Sequence, residues 1–119
     1  IFITSKLANE HPEIAAAVTR AILKASAWVQ EHPEEAAKIQ IDKKYVSGDL
    51  EFNTKILKSY NYRPSVQGGY DAVKLNAQQF AEIGILKKGT DAKAFADRVY
   101  RFQKDVPDSY TAADVAHVK

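Results

Sequence analysis

Apolar residues recur at helical spacing through most of this chain, and polar residues fill the positions between them. From Pro12 to about Glu31, residues Ile14, Val18, Ala21, Ile22, Ala25 and Val29 fall on one stripe, while Glu13, Arg20, Lys24 and Glu31 lie off it. This predicts a long amphipathic helix. A second helix is expected from Pro33, with Ala36, Ala37, Ile41 and Tyr45 as its weaker stripe and Ser47-Gly48 as its end. A third begins near Asp49, a good capping residue, and carries Phe52, Ile56, Leu57 and Tyr60. The segment 61–65 reads as a loop, because the residue before Pro64 is pushed out of helical geometry. A fourth helix runs from Val66 or Gly69 to Ile83 on Tyr70, Val73, Ala77, Phe80 and Ala81, with Gly84 as a left-handed stop. A fifth follows Thr90-Asp91 and turns Phe95, Val99 and Phe102 inward.

The ends read differently. Ile1-Phe2-Ile3-Thr4 is a β-branched and aromatic run, expected to be one short strand. A strand that short needs a neighbour for its backbone groups, so it looks like the last piece of a larger sheet. After Lys104 the periodicity fades, and Val106-Pro107-Asp108 breaks it. Residues 1–104 are therefore expected to be the structured segment and 105–119 a loosely packed tail. The fold class is mainly α: about five helices plus one short N-terminal strand.

The tetrad Glu-His-Pro-Glu opens two of these helices, at Glu10 and at Glu31. Proline suits the first helical turn because its missing N–H would have no partner there. The glutamate that follows meets the positive end of the helix dipole.

Composition narrows the function classes. The chain has 119 residues, 45% hydrophobic and 27% charged, which suffices for one domain with a core. Its net charge of +2 is spread along the chain, and Lys43-Lys44 and Lys87-Lys88 are too short to be a nucleic-acid footprint. No apolar run reaches the roughly 20 residues of a membrane-spanning helix. The opening residues do not read as a signal peptide. With no cysteine, thiolate catalysis, disulfides and Cys–zinc sites are excluded. There is no methionine, even at position 1, so the chain is expected to be a piece of something longer.

Candidate chemistry is sparse. His11 and His32 lie far beyond the three- or four-residue spacing of helical zinc ligands and read as surface residues flanking helix starts. Glu34-Glu35 sit where dipole complementarity accounts for them. Gly68-Gly69 precede a helix, where exposed amides can cradle an anion or where close packing needs a small residue. Tyr62 and Arg63, beside Tyr60, are an aromatic and cationic loop cluster able to line a pocket or to pack the loop down. Trp28, at the stripe's edge, is expected in a core or domain contact. No serine has a nucleophile-elbow context. The chain is not expected to be an enzyme, and no catalytic residue, metal site or cofactor is assigned. Tyr62, Arg63, Gly68 and Gly69 are the candidate ligand-binding residues.

Leu7-Ala8-Asn9-Glu10-His11-Pro12-Glu13, Ala21-Ile22-Leu23-Lys24-Ala25 and the run from Trp28 to Ala37 form an ordered set with Ser65-Val66-Gln67-Gly68-Gly69-Tyr70-Asp71-Ala72, Gly84-Ile85-Leu86, Asp91 and the Phe95–Phe102 region. Together they resemble the C-terminal part of bacterial ABC-transporter solute-binding proteins of the nitrate/sulfonate/taurine type, a superfamily that includes thiamine-pyrimidine-precursor binders. His32 stands where the family usually has Asn. The resemblance implies a parent α/β fold of the periplasmic-binding-protein-like type II class, with two lobes around a cleft. It implies a small-molecule solute and an ABC permease as partners, no nucleic acid, and a periplasmic or membrane-tethered extracellular location. This chain would be the last third or so, with most ligand-contacting loops elsewhere. Such a piece is expected to bind no solute tightly and to self-associate through its exposed stripes. The alternatives are a related thiamine-pyrimidine-synthesis enzyme, whose cysteine-rich motif is not in this chain, and a helical protein-interaction module. Two tetrads 21 residues apart do not match a roughly 34-residue helical-repeat array.

Overall fold

A computed structural model describes residues 2–118, and among these it contains seven helices and no strand. They are α1 (Ser5–Glu10), α2 (Pro12–Glu31), α3 (Pro33–Asp42), α4 (Leu50–Ser59), α5 (Val66–Glu82), α6 (Ala92–Val99) and α7 (Ala112–Val115). The chain divides into two compact units. One holds residues 2–16 and 65–108, the other residues 17–64 and 109–118.

The expected N-terminal strand does not form in residues 2–4, and Ile1 lies outside the described residues. With no second strand to pair with, Phe2 and Ile3 stay exposed. Thr4 instead caps α1, its Oγ1 accepting the Leu7 N–H at 3.2 Å. The tail departs from expectation in the opposite sense. Thr111 and Asp114 form a reciprocal capping box that starts α7, and Val115 is completely buried. The Tyr110 ring lies under the Lys24 ammonium, 5.2 Å from its centroid. The tail is thus anchored at Val115 and at Tyr110.

The two tetrads make the same corner. His11 has φ −137° and ψ 58°, and His32 has φ −127° and ψ 54°. Each precedes a proline, and the proline ring bars the helical conformation at that residue. One helix therefore stops at the histidine and the next starts at the proline. The His32 N–H still closes the old helix on the Trp28 carbonyl at 2.8 Å. Its carbonyl accepts the Ala36 N–H of the new one at 2.9 Å.

Local signals set the other boundaries. Asp49, Ser65 and Asp91 each accept an amide from the first turn of the helix they cap, at 2.7, 2.8 and 2.9 Å. Helix α3 ends at Asp42, earlier than the Ser47-Gly48 stop, because Lys44 turns the chain left-handed at φ 59°. Gly84, at φ 82°, follows α5 as expected.

Helix α3 packs on α4, and α5 packs on α6. In the second unit, Ala36, Ala37 and Leu57 form a buried cluster against which Trp28, Val29 and Tyr62 pack. The alanines leave room for the indole ring. Helix α2 contradicts the stripe assignment. It buries Ala15, Ala16, Leu23 and Ala27, while Ile14, Val18 and Ile22 remain 45%, 43% and 40% exposed. At about 100° per residue Ala16, Leu23 and Ala27 lie on the side opposite Ile14, Val18 and Ile22, with Ala15 at the border beside Ile22. The more apolar of two apolar faces is the uncovered one. Phe52, Val99 and Phe102, also expected inside, are more than half or nearly half exposed.

Candidate functional site

The sequence candidates fall into two places, Tyr62 and Arg63 in the second unit and Gly68 and Gly69 in the first.

The segment after α4 runs back to the end of α2. The Tyr62 N–H donates to Gln30 Oε1 at 2.7 Å, and Arg63 Nη2 donates to Glu31 Oε1 at 2.6 Å. Tyr60 meets the Tyr62 ring edge-on with centroids 6.2 Å apart, and Tyr62 packs on the alanine–leucine cluster. Both candidates thus fasten the loop. At the α2–α3 corner the His32 ring stacks on Trp28 with centroids 5.2 Å apart, and its Nδ1 lies 2.9 Å from Glu35 Oε1. Beside this corner is an open groove of about 570 Å³, lined in part by Glu31, His32, Glu34, Glu35, Lys38 and Lys58. Its charges are largely matched within the chain. Glu31 holds Arg63, Glu35 faces His32, and Lys38 bridges Asp42 at 2.8 Å. No Ser, Thr, Tyr or Cys side chain lines it, so the His32–Glu35 pair faces no hydroxyl or thiol nucleophile there. Among the described residues no group of three His, Asp or Glu side chains is placed to hold a metal ion.

The start of α5 is more tightly built. The Val66 N–H donates to the Asp108 carbonyl at 2.9 Å, and the Gln67 N–H donates to Asp108 Oδ1 at 2.8 Å. The Gly68 N–H goes to Ser65 Oγ at 2.8 Å, and the Gly69 N–H goes to the Ser65 carbonyl at 2.9 Å. All four first-turn amides have partners, and the anion at this helix start is the chain's own Asp108. The glycines answer to close packing. A Cβ on Gly69 would sit 2.6 Å from Tyr100 Oη, and one on Gly68 would sit 2.7 Å from Ser65 Oγ. The Tyr100 hydroxyl donates to the Val66 carbonyl at 2.6 Å, and its ring joins Tyr70 and Phe102 in an edge-to-face cluster. Burial, with the Asp108 charge behind it, pushes the Tyr100 phenol up from its ordinary value.

Across α5 and α6, Asp97 accepts the Tyr70 hydroxyl at 2.7 Å and the Lys93 ammonium at 2.6 Å. The Lys93 bond, followed by the Tyr70 bond, lowers the Asp97 carboxyl, and Asp97 in turn raises both Lys93 and Tyr70. A phenol raised in this way is held neutral, and a lysine raised in this way stays charged. The network is an exposed clasp between helices, with no group activated for nucleophilic or base chemistry.

The residues that complete these arrangements were not legible in the sequence. Asp108, Tyr100 and Asp97 reach partners 41, 34 and 27 positions away. The one available hint was the pair of glycines, which marks a close approach without naming what approaches. The chain matches no family model, no curated protein and no solved structure.

Proposed function

We propose that this chain is the C-terminal segment of an extracytoplasmic solute-binding protein that captures a small solute of the nitrate/sulfonate/taurine class for an ABC importer. In this reading the parent is a two-lobed α/β protein of the type II periplasmic-binding class. Residues 1–104 clothe one lobe and 105–119 are its terminal extension. The ordered resemblance from about Ile3 to Phe102 motivates the reading, and one structural observation supports it most. Helix α2 is apolar on two opposite sides, and Ile14, Val18 and Ile22 on one of them stay 40–45% exposed. A helix with two apolar sides suits a place between two layers. A parent sheet would supply the second layer.

The same reading puts solute recognition elsewhere in the parent. Arg63 is already paired, and the amides of Gly68 and Gly69 are already bonded. No helix among the described residues is long and apolar enough to cross a membrane.

The coding region upstream of the Ile1 codon tests the proposal. The expected finding is a strand-rich segment of roughly 200 residues led by a secretion or lipoprotein signal. A start codon adjoining Ile1, with no such segment, overturns it.

A further inference from the structure

The loop end of the α3–α4 hairpin mixes exposed aromatic and aliphatic side chains with unpaired lysines. Between the two helices, Lys43, Lys44, Tyr45 and Val46 all stand at the surface, and Tyr45 is 75% exposed. The loop is held to the start of α4 by the Asn53 side-chain amide, which donates to the Ser47 carbonyl at 3.0 Å. Phe52, in the first turn of α4, flanks the same loop. A Cβ on Gly48 would lie 3.6 Å from its ring, and the ring is nonetheless 56% exposed. At about 100° per residue, Phe52, Lys55, Ile56 and Ser59 fill one arc of α4 opposite the buried Asn53, Thr54 and Leu57. Lys55 therefore shares the outward side of the helix with Phe52.

The charges at this end do not cancel. Asp42 is bridged by Lys38 at 2.8 Å, and Asp49 accepts the Phe52 N–H at 2.7 Å as the helix cap. Among the described residues Lys43, Lys44 and Lys55 hold no ion pair, and Glu51 stands outside the arc. Positive charge next to protruding apolar groups is complementary to an anionic lipid surface. Rings and aliphatic groups enter the boundary between headgroups and acyl chains, and ammonium groups meet lipid phosphates. A folded protein partner needs a shaped patch of roughly 800 Å² on each side, whereas headgroups rearrange around side chains that stand out singly. Base stacking needs aromatic rings set along a groove, and Tyr45 and Phe52 protrude instead.

We propose that the loop end of the α3–α4 hairpin docks this chain reversibly on an anionic membrane surface, with Tyr45, Val46 and Phe52 inserted and Lys43, Lys44 and Lys55 against lipid phosphates. The surface lies wholly within the second unit. Its residues are already exposed, so docking leaves the helix packing intact. The inference does not rest on the transport reading, because it concerns the chain as it stands.

The test is co-sedimentation with vesicles of phosphatidylglycerol mixed equally with phosphatidylcholine. Half of the chain should sediment at roughly millimolar lipid, and pure phosphatidylcholine should carry down almost none. Raising the salt from about 0.1 to 0.5 M should release most of it. Replacing Lys43, Lys44 and Lys55 together by Gln should weaken binding at least about tenfold. Tyr45→Ser with Phe52→Ser should weaken it about tenfold at unchanged charge. Both variants should keep the wild-type helical circular dichroism, because every replaced side chain is exposed. Lys87→Gln with Lys88→Gln removes two lysines from the other unit and should bind within about twofold of wild type. Wild-type chain that stays in solution with the anionic vesicles would overturn the proposal. So would a Tyr45/Phe52 variant that binds unchanged, or a Lys87/Lys88 variant as weak as the triple one. A chain that binds a single-stranded oligonucleotide and ignores the vesicles would overturn it as well.

Discussion

Gly69 shows what one missing methyl group does in this molecule. The Tyr100 ring lies over it, and the Tyr100 hydroxyl reaches past it to the Val66 carbonyl. A Cβ at this position would meet Tyr100 Oη at 2.6 Å, so the ring must move and give up its hydrogen bond. Gly69→Ala is expected to lower stability by about 1–3 kcal/mol in denaturant titration, as overpacking does elsewhere. Tyr100→Phe keeps the ring and loses only the hydroxyl, so it should cost about 1 kcal/mol. In the Phe background the clash at residue 69 is relieved in part, so the two substitutions should be less than additive. Strict additivity would mean that the Tyr100 hydroxyl is not what excludes a side chain from position 69.

At the scale of elements, corners and caps decide where each helix stops. The Glu-His-Pro-Glu corner works through the proline, which forbids a helical His32 in the folded and the unfolded chain alike. Pro33→Ala lifts that restriction and enlarges the unfolded ensemble. It should reduce stability by about 0.4–1 kcal/mol, measured as a lower denaturant midpoint at unchanged slope. The α7 cap carries a pH dependence. The Thr111 backbone N–H, and then its hydroxyl, hold the Asp114 carboxyl below its ordinary value of 3.8. A carboxyl lowered by folding stabilises the native state above its unfolded value, and the contribution fades as pH falls through the folded value. The α7 turn should therefore be intact at neutral pH and loosen only in acid, below the usual aspartate range. The Thr111 amide resonance followed by NMR should titrate with a midpoint under 3.8. A midpoint above that value would contradict the capping geometry.

At the scale of the whole molecule, Ile14, Val18 and Ile22 of α2 stay partly exposed among the described residues. Neither the groove beside the α2–α3 corner nor the start of α5 offers an enclosed, unpaired polar constellation. Isothermal calorimetry of the chain with nitrate, taurine, an alkyl sulfonate or a thiamine-type pyrimidine should show no micromolar binding. A saturable heat of that strength would place solute recognition within these 119 residues and remove the reason to assign it elsewhere.

The sequence by itself determined where the helices lie. The span of α2, the caps at Asp49 and Asp91, the corner at Pro33 and the stop near Gly84 all rest on interactions within about four residues, which local chemistry dictates. Helices α1 and α7 escaped notice because both are short, and Ile1-Phe2-Ile3-Thr4 imitated a strand whose pairing partner the described residues do not include. Only the tertiary structure decided which side of α2 is covered, that Asp108 occupies the start of α5, and that Tyr100 is the neighbour Gly69 makes room for. Periodicity can mark a face as apolar, but it carries no information about what lies against that face. Helix α2 has two such faces, and the choice between them belongs to contacts made far along the chain.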